Sequence, residues 1–475
     1  MFAVMSERAI TPSVCVVSAV LVGLTGCAYP VHERASGWLM VETSHIQLRT
    51  NIRRDAAIQL ANEMQYSYEL LANYALPCAH RGDEDRVQVT VLPTPQFVQY
   101  AGPNVGGFYN RARVTWFADH DSQVVLPDDL GLESNQVVLH EMTHRLVEAC
   151  FVRAPPWLNE GLAGFFETML VEADRVVIGY PPYAIRTSLR VGPPTRSRGY
   201  GLRIWPVAMY ALPSIESMIG LTTWQAHEWT ETAPRYATAW ALVHFLVIGA
   251  PDLGPRFKAY LEGLQNPASD PQRLFAKLFE DVPLQDRLNK YLLTGNLQLL
   301  KSNHPLGKRD GGWEPRVRDM REEEAHVHLA WMNARARDEQ GRDRLQLHLA
   351  AAMQNPRSRD DAYLVAAYAR LASGDLAGAQ REVEDGLRES PDKPAFLEAR
   401  LDVLLARKAG AAELRTAAER LRPLAKTSGQ FCSLALAALR TGDREPAREL
   451  ADQGLQLDPR RIGCRFGTGA STPPR

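Results

Sequence analysis

The sequence lacks a charge imbalance, which limits the partners it can attract. Its 475 residues include 54 Lys and Arg against 55 Asp and Glu, so the formal net charge is −1. Without an excess of positive charge, the chain has no field that would attract nucleic acid or anionic lipid. We therefore expect no nucleic-acid partner.

Long hydrophobic runs and cysteines are also scarce. The apolar stretch at residues 14–24 is shorter than the about 20 residues that a membrane-spanning helix needs. The chain has 6 cysteines, and its 45% hydrophobic and 23% charged residues are ordinary values for a soluble globular protein. At this length, two or three domains are expected.

The N-terminal segment has the layout of a targeting signal. Arg8 supplies a positive region, the apolar stretch follows, and the sequence LTGC at 24–27 ends it. This ending resembles the signal of bacterial lipoproteins, which implies a signal peptide at 1–26 and lipid attachment at Cys27. Because Ala28 rather than Asp follows, the resemblance implies a lipid-anchored protein of the cell envelope, on the outer membrane and facing the periplasm. An ordinary secretory signal cut after Ala28 is the alternative.

Four cysteines remain after this segment: Cys78, Cys150, Cys432 and Cys464. They allow three pairings, and we prefer the first with the second and the third with the fourth, because each bridge then stays inside one predicted domain. Cys150 follows His144 by six positions, which on a helix is about 120° away from the histidine face. We expect it to be structural rather than a metal ligand.

The main functional motif is HEMTH at residues 140–144. His140 and His144 are four positions apart, so both imidazoles project from one face of an α-helix. This spacing lets two ring nitrogens bind one zinc ion at about 2.0–2.1 Å. Glu141 lies beside the first histidine, where it can take a proton from a metal-bound water. Two histidines on a solvated helix face are the alternative.

A third zinc ligand is expected from the segment WLNEGLA. Pro155 and Pro156 break the first helix and start a second one near Trp157, which puts Glu160 in its first turn. The small residues Gly161, Ala163 and Gly164 follow, and we expect them to let the second helix pack closely against the first.

The motif HExxH, followed after 16 positions by a Glu in the context WLNEGLA, resembles the gluzincin zinc peptidases and especially the compact peptidase-MA-like group. The resemblance covers roughly residues 40–300 and implies an α+β gluzincin-like domain at 27–302. It implies His140, His144 and Glu160 as the ligands of one Zn²⁺ per chain, with Glu141 as the general base.

The resemblance also implies two further roles. An edge strand near the metal binds the substrate backbone in this family, and Gly106 and Gly107 are our candidates because glycine allows close approach of another backbone. A Tyr or His on a downstream helix stabilises the oxyanion, for which Tyr236 is our first choice, ahead of His227 and His244. A glycine bulge without a ligand, and simple core or surface packing, are the alternatives.

The C-terminal third is predicted to be helical and repetitive. Residues 303–325 are charged and contain Gly and Pro, which predicts a linker. Beyond it, four positions recur 68 residues apart, twice the 34-residue tetratricopeptide period. The matched pairs are Gly374 and Gly442, Ala379 and Ala447, Gly386 and Gly454, and Pro391 and Pro459.

This pattern resembles a short tetratricopeptide array. It implies an all-α repeat domain at 326–463, a tail at 464–475 and a protein partner bound by the repeats. An unrelated helical bundle is the alternative. If the domains are separate, a chain ending near Lys301 should fold and still bind zinc.

Together these features predict a zinc-dependent metallopeptidase that hydrolyses peptide bonds of envelope proteins or peptides. The alternative is a repeat-based scaffold or binding lipoprotein with a weakly active or structural zinc domain. Glu141 favours the enzyme, because a binding protein has no need of a carboxylate there. Endopeptidase and aminopeptidase activity both stay open.

Overall fold

A computed structural model describes the chain at residues 35–74, 86–101, 108–110, 123–128, 134–151, 154–172, 175–182, 212–221, 229–266, 269–294, 297–303, 314–334, 338–458 and 464. These residues form a mixed α+β structure with many helices, which confirms the predicted class at that level.

Both helices and strands occur up to residue 319, and only helices follow in the described part of the chain. The strands are β1 Leu39–Glu42, β2 Ile46–Thr50, β3 Val87–Leu92, β4 Phe108–Asn110, β5 Gln123–Pro127, β6 Leu170–Glu172, β7 Arg175–Ile178, β8 Leu300–Asn303 and β9 Arg316–Asp319. The helices up to β8 are α1 Arg54–Tyr74, α2 Thr94–Ala101, α3 Ser134–Cys150, α4 Pro156–Phe166, α5 Ile215–Ile219, α6 Trp229–His244, α7 Gly254–Leu264, α8 Pro271–Phe279 and α9 Leu284–Thr294. The later helices are α10 Glu322–Asn333, α11 Glu339–Gln354, α12 Arg359–Ser373, α13 Leu376–Glu389, α14 Pro394–Ala406, α15 Ala411–Leu421, α16 Ser428–Thr441 and α17 Arg444–Leu457.

A six-stranded sheet in the order β4-β5-β3-β2-β1-β9 is the centre of the N-terminal part. Strands β2, β3 and β5 run parallel, and β4 and β9 are antiparallel edge strands. Central β3 reads VQVTVL and is almost wholly buried, as expected for a strand covered on both faces. A separate three-stranded sheet has the order β6-β7-β8.

One face of the six-stranded sheet supports the helix with the histidine motif. Val41, Leu48 and Val89 point to this face and share a buried cluster with Val138 and Leu146 of α3. Helix α3 also packs against β4 and β5 at one side of the sheet. The apolar positions of α3 therefore face the sheet, which leaves its histidine face toward α4.

The opposite face of the sheet is covered by α10. Trp38 and Met40 alternate with the residues of the first face, as the period of a strand requires, and they cluster with Leu329 of α10. A hydrogen bond of 3.0 Å joins Thr90 Oγ1 to Nε2 of His328 on α10. The first helix of the predicted repeat region thus belongs to the core of the sheet.

The predicted linker at 303–325 needs correction where it is described. Residues 316–319 form β9, which pairs antiparallel with β1 in the register Val41 to Val317. Most of the side chains of β9 are exposed, because it is an edge strand. Edge strands and linkers are both exposed to solvent, and both therefore carry charged residues. The composition of this segment could not distinguish a strand from a linker.

Consecutive helices of the C-terminal region pack as pairs: α10 with α11, α12 with α13, α14 with α15, and α16 with α17. Gly374 and Gly442, which match in sequence, end α12 and α16 with positive φ values of 84° and 90°. Only glycine adopts this left-handed conformation readily, so each marks the end of a helix. The matched sequence positions therefore have matched backbone roles.

The cysteine prediction is confirmed in part. Cys432 and Cys464 form a disulfide, as predicted. Cys150 is buried and disulfide-bonded, while Cys78 lies outside the described residues.

Among the described residues, no single helix is long and apolar enough to cross a membrane. The bent pair Ala233–Gly249 and Pro251–Leu264 reaches the necessary length and apolar character when its two parts are taken together. The predicted signal peptide and Cys27 lie outside the described residues.

Candidate metal centre

Two helices meet at the site. Helix α3 carries His140, Glu141 and His144, and helix α4 carries Glu160. Helix α4 begins at Pro156, after an extended Pro155 with φ of −67° and ψ of 153°. Glu160 is thus its fifth residue, just past the first turn in which we had expected it. The proline pair makes the chain turn back, so that α4 packs against α3.

The three predicted ligands converge. One ligand atom from each of His140, His144 and Glu160 lies within 4.8 Å of the others. Glu160 Oε2 is 3.6 Å from His140 Nε2 and 3.5 Å from His144 Nε2. Donors bound tetrahedrally to zinc at about 2.0–2.1 Å are about 3.4 Å apart. The observed separations therefore suit a single metal ion, and this group can hold one.

The hydrogen bonding of Glu160 fits this role. Its Oε2 is buried and accepts no hydrogen bond from the described residues. A buried carboxylate oxygen without a donor is costly unless a cation balances its charge. Burial would raise the pKa of Glu160, but His144 and His140 lower it overall, so the carboxylate is kept ionised. Two imidazoles and one carboxylate are a donor set typical of catalytic zinc.

Glu167 contacts the metal-binding group and was missed by the sequence interpretation. Its Oε2 lies 2.6 Å from His140 Nδ1, on the side of the ring opposite Nε2. Carboxylates in this position orient metal-binding histidines and fix their tautomer. Burial would lower the pKa of His140, but Glu160 and Glu167 raise it well above its usual value. The available signal was spacing, since seven residues on a helix return to nearly the same face as Glu160.

Glu141 lies beside the three ligands and is 8% exposed. Burial raises its pKa, and His140 and His144 only partly offset that effect. The carboxylates of Glu160 and Glu167 raise the pKa further. A raised pKa brings a carboxylate closer to the range in which it exchanges protons efficiently at neutral pH.

Tyr236, on α6, is the first choice for the oxyanion-stabilising residue, and it lies in the described part of the chain. Burial raises the pKa of its phenol, and so do the charges of Glu160, Glu141 and Glu167. The phenol is therefore within the electrostatic influence of the carboxylates of this group. Its phenol stays protonated at neutral pH and can donate a hydrogen bond.

The other predicted candidates fall elsewhere. His244 is fully buried, with its Nδ1 3.0 Å from the hydroxyl of Tyr291, and burial lowers its pKa to about 4. It is a neutral histidine of the core. His227, Gly106 and Gly107 lie outside the described residues. The edge strand β4 begins at the next residue, Phe108, and packs beside α3.

The packing predicted for Gly161 was wrong. We expected it to face α3, but a Cβ at this position would lie 2.6 Å from Ala239 O and 2.6 Å from Val243 Cγ2, both on α6. Gly161 follows Glu160 by one residue, which is about 100° around α4, so Glu160 points toward α3 while Gly161 points toward α6. The close approach at Gly161 is therefore with the helix that carries Tyr236.

Comparison with known proteins provides no relative from which a role could be transferred. No protein-family model matches the chain, and neither a curated protein nor a solved structure matches it significantly. The metal-binding group and its neighbours are thus the basis for inferring a function.

Proposed function

We propose that the chain is a zinc-dependent metallopeptidase of the gluzincin type. One observation carries the proposal: Glu160 Oε2 lies 3.6 and 3.5 Å from the Nε2 atoms of His140 and His144, with the Glu141 carboxylate next to them. A structural zinc site is normally closed by four protein ligands. Three ligands and an adjacent carboxylate are instead typical of a site that activates water.

In this proposal each described residue has a separate task. His140, His144 and Glu160 hold the ion, and Glu167 orients His140. A zinc ion bound there would supply a Lewis acid for the scissile carbonyl and would make the attacking water more acidic. Glu141 accepts the proton of the attacking water and passes it to the leaving amine. Tyr236 donates a hydrogen bond to the carbonyl oxygen as negative charge develops on it.

The substrate is proposed to be a peptide or protein of the cell envelope. An extended peptide can add to the edge strand β4, which lies beside α3. Lipid attachment at Cys27 would keep the enzyme at the outer membrane. The paired helices after residue 322, with equivalent glycines at 374 and 442, support a tetratricopeptide-like region that binds a protein partner.

The test combines metal analysis with peptide cleavage. The chain from residue 28 onward is purified, its zinc content is measured by elemental analysis, and cleavage of a peptide library is followed by mass spectrometry. We expect about one zinc per chain and cleavage that a chelator abolishes. Zinc binding without cleavage of any peptide would favour the scaffold, and the absence of zinc would contradict both roles.

A further inference from the structure

The helix with the third metal ligand packs against the helix with Tyr236, and Gly161 is a point of very close approach between them. Gly161 follows Glu160 on α4, and a Cβ there would lie 2.6 Å from the backbone oxygen of Ala239 on α6. Cβ atoms in proteins essentially never approach another heavy atom within 3.0 Å. Because the obstacle is helical backbone, a rotamer change cannot relieve it, and any larger residue has to push the helices apart.

This contact lies within one turn of Tyr236. Ala239 comes three positions after Tyr236 in α6, so the two residues share a face of that helix. Ala239 and Val243 are fully buried, and Gly161 is buried against them. A displacement of α6 at Ala239 would therefore also displace Tyr236 from the metal ligands.

The electrostatic environment of Tyr236 supports the same connection. Beyond the effect of burial, the raised pKa of its phenol comes first from the charge of Glu160, ahead of Glu141 and Glu167. Glu160 is the residue immediately before Gly161. The charge of the third ligand therefore acts on the phenol, which agrees with the close approach of α4 and α6 at Gly161.

We propose that Gly161 is a positioning residue, which sets the distance between the Tyr236 phenol and the metal ligand Glu160 by letting α4 lie directly on the backbone of α6. This inference rests on the proposed function, since it assigns Gly161 a part in the same reaction. Gly161 acts through Tyr236 and does not touch the reacting atoms.

The test substitutes Gly161 and a matched glycine elsewhere. Gly161→Ala adds a methyl at the α4 and α6 contact. Gly263→Ala adds one in α7, where its Cβ would lie 2.6 Å from Leu274 Cδ2, away from the metal ligands. We expect Gly161→Ala to lower kcat by about 10²-fold, the usual cost of a misplaced catalytic group. KM and zinc affinity, the latter measured by chelator competition, should stay near their wild-type values in both variants, and Gly263→Ala should keep its kcat.

A double-mutant cycle separates positioning from general destabilisation. Tyr236→Phe should reduce kcat in the wild type by about 10²–10³-fold, and by the same factor in Gly263→Ala. In Gly161→Ala it should add little further loss, because the phenol is already displaced. If Gly161→Ala does not fold, Val243→Ile is the milder variant, because it enlarges the same contact from the α6 side by one methylene. Tyr236→Phe should again add little further loss of kcat in this background.

Two results would overturn the inference. One is loss of zinc from Gly161→Ala, which would mean that Gly161 supports the metal site itself. The other is an unchanged cost of Tyr236→Phe in the Gly161→Ala and Val243→Ile backgrounds. A wild type that binds no zinc or cleaves no peptide contradicts the proposed function instead, so the two failures are distinguishable.

Discussion

The Nδ1 atom of His140 lies 2.6 Å from Oε2 of Glu167. Its other ring nitrogen, Nε2, faces Glu160 at 3.6 Å. Glu160 lies in α4 and Glu167 is the residue immediately after its end, about two turns further on. The carboxylates of one helix and its C-terminal cap therefore hold the imidazole from both sides. The ring orientation is therefore set before any metal binds.

Glu167 should affect metal binding more than its position outside the ligand set suggests. We expect Glu167→Gln to weaken zinc affinity by about 10–100-fold, the usual effect of losing such a partner. Chelator competition measures this affinity. Glu262→Gln is the matched control, because Glu262 is an exposed residue of α7 that pairs only with Lys258 in the described structure. Equal zinc affinity in both variants would contradict the role of Glu167.

Loss of the general base should separate catalysis from metal binding. Glu141→Gln keeps the size of the side chain and removes the proton acceptor, so the variant should retain about one zinc per chain while cleavage falls by about 10²–10⁴-fold. His144→Ala should lose both zinc and cleavage, because too few ligands remain. Elemental analysis beside a cleavage assay tests this, and full zinc content in His144→Ala or unchanged cleavage in Glu141→Gln would refute the mechanism.

Truncation before β9 should damage the fold, in contrast to the expectation from the sequence. A chain ending at Asn303 loses β9 and α10, which exposes the edge of β1 and the apolar surface around Trp38 and Met40. We expect it to aggregate, while a chain ending at Gln354 stays soluble because it keeps β9 with the α10 and α11 pair. Size-exclusion chromatography compares them. A soluble, zinc-binding chain ending at Asn303 would support the original domain boundary.

Acid should destabilise the fold through His244. Its folded pKa of about 4 lies below the ordinary value of 6.5, because burial disfavours the charged form. The unfolded chain therefore binds the proton first, so this stabilisation is complete above about pH 6.5 and is lost as the pH falls toward 4. The loss amounts to about 2 kcal/mol by pH 5.

The measurement is urea unfolding at pH 7 and pH 5, with His244→Gln as the comparison. Glutamine does not titrate and can still form a hydrogen bond with Tyr291, so the variant should lose less free energy of unfolding between these pH values. Equal losses in the two proteins would assign the acid sensitivity to other groups.

The metal-binding group could be predicted from the sequence because its pattern is local. His140 and His144 are four positions apart, which is about one turn of a helix whatever the rest of the chain does. A proline pair and a short second helix then bring Glu160 back to them. Gly374 and Gly442 were predictable for the same reason, since a helix end depends on the residues within one turn of it.

The remaining features depend on contacts between distant parts of the chain. The pairing of β9 with β1 joins residues more than two hundred positions apart, and the charged composition of β9 suits a linker as well as an edge strand. The partner of Gly161 is a backbone oxygen, which no side-chain pattern reveals. Whether Gly161 faces α3 or α6 depends on how α3, α4 and α6 pack together. Periodicity identifies which face of an element is apolar, but only the packed core selects the element that covers it.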